Sequence, residues 1–499
     1  MHDRPAGGTK EEDRWKSLNP SGIILIMGEK SPVQLKVGGR DTHGFSRARW
    51  TEYKGQRVSS VQYMCSRLRR RGRSILAVLA GGGVGVVVLA MVIELAAAFG
   101  TKAPCLTGPA GAATPFYCYS DIQSLFVLRH LSDHVFPYVH GNYVTSSTGS
   151  VFLTRGEVEY PVLTGLFMWL AALPVHSQDA YVVVSALLLA PFGVASAWLL
   201  AKMCGARAFL FAGAPAVALY GFINWALISI ALAVAGVYLW WRERPYSAAV
   251  VFAVGGCVKL WPAFLLVPLV ADLVAARGWR KGALAGVLGG SIGVGVNVPF
   301  AIANFRGWYA PFAYQGALGL GSPQGMSLWD WYGRWLKPEL AEALASCAML
   351  AGLGVVTALG WVRYRREGAF PFVQVCAATT LLYILTAKDN SAQYVLWVLP
   401  FFAMLRLRPA MWVLWSAVGA AWYVRFVVGL SPVGFALVTM MEAVVAGWVL
   451  VSALGAESVV GQVWGQQQRR PRRASLKLGG RSWAPAASPG TALTLNRSG

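Results

Sequence analysis

From Ile75 to about Gly455 the chain repeats one pattern, a long apolar stretch followed by a short polar or basic break. A helix of about 20 apolar residues crosses the roughly 30 Å hydrocarbon core of a bilayer. The pattern predicts spans over 75–98, 180–203, 208–223, 225–241, 247–258, 260–275, 282–303, 341–362, 370–387, 392–405, 410–429 and 434–454. Twelve crossings put both termini on one side. They also put there every basic cluster: Arg67–Arg73, Lys202 with Arg207, Arg242 with Arg244, Arg277–Lys281, Arg363–Arg366, Arg406 with Arg408, and Arg469–Arg473. By the positive-inside rule that side is cytoplasmic. The stretch 160–175 is short and lies between Pro161 and Pro174, so it reads as a re-entrant or interfacial helix. Such segments are tolerated where protein lines a cavity. The short spans 247–258 and 260–275 meet at Lys259, which places a cation on the outer side or in a cavity.

Composition fits this reading. Of 499 residues, 56% are hydrophobic and only 13% charged, too few charges for the surfaces of soluble domains of this length. The fold class is an all-α polytopic membrane protein in a lipid bilayer. The net charge of +22 does not indicate a nucleic-acid partner, because most of it sits in two polar tails. Residues 1–74 carry 16 Lys/Arg against 7 Asp/Glu, and residues 456–499 carry 7 against 1. Basic tails flanking a bundle anchor it on the cytoplasmic side. The expected organisation is a disordered cytoplasmic segment over 1–66, a membrane domain over 67–455, and a basic disordered tail over 456–499. External loops are expected at about 99–179 and 304–340. The first apolar run is long enough to remain as a span, so no cleavable signal is expected. Met64 opens an Arg-rich lead into that span, which suggests a start near it.

The polar residues left on the outer side are Asp121, Arg129, His130, Glu157, Glu159, Asn224, Lys259, Asn297, Lys388, Asp389, Asn390 and Gln393. The second external loop adds Trp308, Tyr309, Trp329, Trp331, Tyr332 and Trp335. The cytoplasmic side has no comparable set, and no glycine-rich loop with Lys-Ser/Thr signals a nucleotide site. Ionisable residues at the mouth of an apolar bundle cost free energy unless they have a partner or a function. Each also has a plainer reading. Asp121 could cap a loop helix or pair with Arg129. Glu159 could favour the start of a dipping helix. Lys259 could snorkel to the interface, and Asp389 and Asn390 could form a turn. The Trp/Tyr group could be an interfacial belt. Cys204, Cys257, Cys347 and Cys376 fall in apolar segments, whereas Cys105 and Cys118 share the first external loop, where an oxidising exterior allows a disulfide. The histidines have no ligand spacing, so neither a metal nor another cofactor is expected.

Five motifs occur in order: Cys118-Tyr119-Ser120-Asp121-Ile122; Val158-Glu159-Tyr160-Pro161-Val162-Leu163-Thr164-Gly165; Asn224-Trp225; Val258-Lys259-Leu260-Trp261-Pro262; and Ser391-Ala392-Gln393-Tyr394-Val395-Leu396-Trp397. Together they resemble actinobacterial glycosyltransferase family 87, a polyprenol-phosphate-sugar-dependent group that includes mannosyltransferases. The resemblance covers roughly 67–455. It implies a GT-C fold, with about twelve transmembrane helices and an active site in extracytoplasmic loops. It also implies that Asp121 is the general base, and that Lys259, Ser391, Gln393 and Tyr394 occupy family motif positions. Two residues depart from the pattern: Ala226 where an acid is expected, and Ala392 where proline is expected.

Transfer of a sugar from a lipid phosphate needs a base for the acceptor hydroxyl and a cation for the leaving phosphate. Asp121 suits the first role, with Glu159 as a second acid/base or orienting group. Lys259 and Lys388 suit the second, with Asn224, Arg129, Gln393 and Tyr394 as further donor or acceptor contacts. The implied function is transfer of mannose, or next arabinofuranose, from a polyprenyl-phosphate donor to an envelope glycolipid or glycan on the outer face. A transporter or flippase of a lipid-linked or polar solute is the alternative, although Glu94 and Glu442 read as isolated and no inverted repeat is evident. A non-catalytic family member is a third reading, which Ala226 keeps open.

Overall fold

In the computed structural model the chain divides into two units, Met1–Arg73 and Ser74–Gly499. The structure describes residues 83–107, 119–147, 149–318, 327–329, 335–388, 390–428 and 432–460, all in the second unit. Cys118, Trp331, Tyr332 and Asp389, the N-terminal segment and the tail from 461 onward lie outside them.

The first half runs α1 (Gly83–Gly100), α2 (Asp121–Leu128), a hairpin of β1 (Tyr143–Thr145) and β2 (Val151–Leu153), α3 (Val162–Ala172), α4 (Gln178–Cys204), α5 (Phe209–Ala212), α6 (Pro215–Tyr220), α7 (Ala226–Trp241) and α8 (Pro245–Val258). The second half runs α9 (Leu266–Arg277), α10 (Trp279–Ala303), α11 (Phe305–Ala317), α12 (Pro338–Glu367), α13 (Phe372–Thr386), α14 (Val395–Met404), α15 (Pro409–Val428) and α16 (Pro432–Gly455). Among the described residues, five helical stretches are long and apolar enough to cross a membrane: Gly83–Leu106, Gln178–Ala212, Trp279–Ala303, Glu339–Glu367 and Val433–Gly455. Leu187, Ile302, Leu350 and Val444 on these helices are each more than 60% exposed. An exposed apolar surface of this kind faces lipid rather than water. The protein is therefore an all-α membrane protein.

Local chemistry sets the helix boundaries. Ser120, Ser177 and Asn304 cap α2, α4 and α11, their side chains accepting from the N–H of Gln123, Ala180 and Gly307. Pro215, Pro245 and Pro338 occupy first-turn positions, where the missing N–H costs nothing. Gly368, with φ of 75°, ends α12 in a left-handed cap. The expected span 208–223 is not one helix. It breaks at Gly213 and Ala214 into α5 and α6, because Pro215 starts a new helix and disfavours helical geometry in the residue before it. The expected loop 304–340 instead opens with α11, bent back over the first loop by Asn304, whose Nδ2 donates to the carbonyls of Val139 and Gly141. The helix α3 has 11 residues, about 16 Å along its axis, and is too short to cross a bilayer alone.

The ends bearing the basic clusters meet on one face of the bundle. Arg207 donates to the carbonyls of Phe402, Ala403 and Leu405, and Arg363 to those of Leu454 and Ala456. The Tyr364 hydroxyl donates to Ala275, and Arg406 pairs with Glu457. Thirty-residue α12 carries the chain about 45 Å from that face to the opposite one, where Glu342 meets Lys388.

A candidate active site at the mouth of the bundle

Asp121 is the first residue of α2, held by the cap at Ser120, whose hydroxyl also donates to the Phe222 carbonyl. It does not cap the helix and does not pair with Arg129. Its Oδ1 accepts from the Tyr119 hydroxyl at 2.5 Å and its Oδ2 from Nδ2 of Asn224 at 3.4 Å. Asn224 is fixed by its other half, because its Oδ1 accepts the Ala226 N–H at 2.9 Å and opens α7. Position 226 thus serves through its backbone, and its side chain is fully buried. Burial raises the Asp121 carboxyl above its ordinary range. The Tyr119 hydrogen bond, the Lys259 charge and the Asn224 contact oppose that rise, while the nearby Glu159 charge adds to it.

Lys259 stands in extended backbone at the break between α8 and the short 3-10 turn Trp261–Leu265. The break is tight, since a Cβ at Gly255 would meet Pro262 and one at Gly256 would meet Ala263. Thr164 on α3 donates to the Val258 carbonyl at 2.6 Å and fixes the strand of backbone that presents the lysine. The side chain does not snorkel. Its residue is 8% exposed, with Nζ 5.3 Å from the Tyr160 ring, 5.8 Å from Trp397 and 5.9 Å from Tyr394. Trp397 in turn stacks between Tyr394 at 3.7 Å and Trp261 at 5.2 Å. Each cation–π contact is worth about 0.5–2 kcal/mol. A desolvated ammonium loses several kcal/mol, so the rings offset only part of that loss and the group still favours an anion. No hydrogen-bond acceptor among the described residues engages Nζ, and Asp121 acts on it through space.

Glu159 is bound to Arg129, whose Nε lies 2.7 Å from Oε2, and the guanidinium rests on the Tyr314 ring. Gln315 donates to the Glu159 carbonyl, which brings α11 to the same edge. Lys388 is placed differently from Lys259. Its ammonium pairs with Glu342 at 3.0 Å and donates to the carbonyls of Gln315 and Gly316, stapling α11 to α12. Gln393 is 4% exposed in the 3-10 turn Ala392–Tyr394, beside the Tyr394 ring that faces Lys259. Asn390 donates to Glu442, so neither residue is isolated. Cys105 is disulfide-bonded, whereas Cys204, Cys257, Cys347 and Cys376 are free. Among the described residues no group of three His, Cys, Asp or Glu side chains could hold a metal.

Two contributors, and one buried cation, were not visible in the sequence. Tyr119 sits two positions before Asp121, and Tyr160 directly after Glu159, but neither spacing implies the contact it makes. Lys102 follows α1, is fully buried, and donates to the Tyr423 hydroxyl at 3.3 Å while lying over that ring. A lysine at the end of a span normally reaches water, so only the fold reveals that this one turns inward.

Residues 159–384 match the family model of glycosyltransferase family 87. The match takes in Glu159, Tyr160, Asn224 and Lys259, and leaves out Asp121, Arg129, Gln393 and Tyr394. No curated protein matches the chain. Over that segment, just under half of its length, the chain is similar to a family of membrane glycosyltransferases.

Proposed function

We propose that this family 87 domain transfers a sugar from a polyprenyl-phosphate donor to a cell-envelope glycolipid or glycan on the extracytoplasmic face, with mannose the first candidate sugar and arabinofuranose the second. The supporting observation is that Asp121, bonded by Tyr119 and Asn224, lies within electrostatic reach of Lys259, whose ammonium is buried inside an aromatic cage. The acceptor hydroxyl loses its proton to Asp121 as its oxygen attacks the anomeric carbon. The bond from that carbon to the phosphate oxygen breaks, and the electron pair leaves with the polyprenyl phosphate. Lys259 offsets the charge that grows on the leaving phosphate, in a desolvated setting where such contacts are strongest. Asn224 orients Asp121. Glu159 shapes the field on it. Gln393 and Tyr394 line the donor side. Arg129 holds Glu159, and Lys388 holds the floor of the second loop. The scheme needs no metal.

In this reading the catalytic unit spans 67–455 as a GT-C-type bundle of about twelve crossings. Both termini and the basic face are cytoplasmic, and the Asp121 face is extracytoplasmic. The gathering of Arg207, Arg363 and Arg406 on the opposite face supports that orientation.

The test compares wild type with Asp121→Asn in membranes given a radiolabelled polyprenyl-phosphate sugar and endogenous acceptors. Loss of a general base costs about 10²- to 10⁴-fold. Equal expression with lost transfer supports the assignment. Equal transfer removes Asp121 as the base. No transfer by wild type from mannosyl or arabinosyl donors reopens the transporter reading.

A further inference from the structure

Two side chains from the last two helices, outside the residues matched by the family, reach the segment that carries Gln393 and Tyr394, and a third steadies one of them. The Glu442 carboxylate, on α16 and 3% exposed, uses Oε2 to accept Nδ2 of Asn390 at 3.0 Å and Nε1 of Trp422 at 2.8 Å. Trp415, on α15, donates its indole N–H to the Val395 carbonyl at 2.9 Å. Asn390 and Val395 bracket the turn Ala392–Tyr394.

The turn is poorly held by its own sequence. Ser391, at the cap position, makes no side-chain cap hydrogen bond, and Ala392 restricts the backbone little. The Asn390 amide is oriented from one side only, because its Oδ1 is buried without a partner while its Nδ2 reaches Glu442. A buried carboxylate that meets only neutral donors is costly to keep. Here it meets the Asn390 amide at the start of this turn, and the Trp422 indole holds the carboxylate in place. Tyr394, four residues after Asn390, stacks on Trp397, and both rings face the Lys259 ammonium. A shift at Asn390 therefore moves the wall of the Lys259 site.

We propose that Glu442 is a positioning residue: through Asn390, with Trp415 holding Val395, it sets the turn that places Gln393 and Tyr394 against Lys259 and so governs affinity for the donor phosphate. The proposal rests on the reading of Lys259 as the phosphate contact.

The experiment uses the full chain in lipid nanodiscs as wild type, Glu442→Gln and Glu442→Ala. It measures kcat, donor KM and acceptor KM with a polyprenyl-phosphate sugar, and amide hydrogen exchange over 390–396. Leaving the buried Asn390 amide without its partner is worth about tenfold in an equilibrium. Glu442→Ala is expected to raise donor KM about tenfold, with kcat and acceptor KM changed less than about threefold, and to speed exchange in 390–396 but not in α7 or α8. Glu442→Gln keeps an oxygen that can accept from both donors and is expected to restore both readouts. Unchanged exchange in the alanine variant overturns the clamp whatever the substrate. So does a glutamine variant no better than alanine, or a loss spread evenly over all parameters in step with lost folded protein. Exchange that responds as expected in a wild type that transfers no sugar and binds no polyprenyl phosphate overturns the phosphate reading and keeps the clamp.

Discussion

Arg129 and Glu159, thirty positions apart, close the outer edge of the site through a 2.7 Å contact, with side chains only 13% and 14% exposed. The pair ties the end of α2 to the segment that leads into α3. It also sets a cation beside a carboxylate whose charge acts on Asp121.

That relationship predicts a pH effect at a distance. Removing the guanidinium in Arg129→Ala leaves the Glu159 charge uncompensated, which disfavours ionised Asp121 and raises its carboxyl further. A base that ionises at higher pH loses activity sooner on acidification. The acid limb of kcat/KM against pH should move up by about one unit in Arg129→Ala and return in Arg129→Ala/Glu159→Gln. An unmoved limb in the single variant means that the guanidinium does not screen the base from Glu159.

Tyr119 acts on the same group with the opposite lever. Its hydroxyl donates to Oδ1 of Asp121 and favours the charged carboxylate. A hydrogen bond to a charged group is worth about 1.5–3 kcal/mol, or roughly one to two pKa units. Tyr119→Phe should move the acid limb up by that amount while the alkaline side keeps its plateau. A uniform fall at all pH values points instead to displaced geometry.

Lys259 should separate charge from shape. Lys259→Met keeps the length that fills the aromatic cage but removes the cation. It is expected to lower kcat/KM for the donor by about a hundredfold or more, as for loss of a charged contact to a developing phosphate charge. Lys259→Arg should recover part, because guanidinium keeps the charge but not the compact shape that three rings enclose. If the methionine variant keeps its activity while the arginine variant falls, with folded protein retained, the filled cage rather than the charge carries the effect.

The helical bundle was legible because lipid demands it: every crossing must be apolar and hydrogen-bonded within itself, so its length is written in the sequence. Lys259 was legible for the same reason, as a cation stranded between two short apolar runs. The limits show at particular residues. The break at Gly213 and Pro215 lies inside an apolar run, where hydropathy does not register a change of helix. Lys388 and Lys259 look alike in sequence, yet Lys388 meets Glu342 and two carbonyls while Lys259 meets rings, because partners come from helices distant along the chain. Glu442 read as isolated because its donors, Asn390 and Trp422, lie 52 and 20 positions away.

Glu157 carries the last prediction. It lies in the first external loop, fully buried, with neither carboxyl oxygen hydrogen-bonded. It packs so closely on Gly141 that a Cβ there would collide with its side chain. Burial pushes its carboxyl up to about 9 from an ordinary value of 4.5. The folded loop therefore holds a proton that the opened loop releases anywhere between those limits. Loop stability from this group is complete below about pH 4.5 and declines as pH rises toward 9, by about 1.4 kcal/mol per unit. At pH 7 the loss is on the order of 3 kcal/mol. Glu157→Gln, neutral at every pH, removes the slope. Limited proteolysis of the loop over 139–157, read as the ratio of wild-type to variant cleavage at each pH, cancels the protease's own pH dependence. That ratio should climb steadily from pH 6 to pH 8.5. A flat ratio would show that Glu157 is ionised and solvated in the loop, and that the tight packing on Gly141 yields readily.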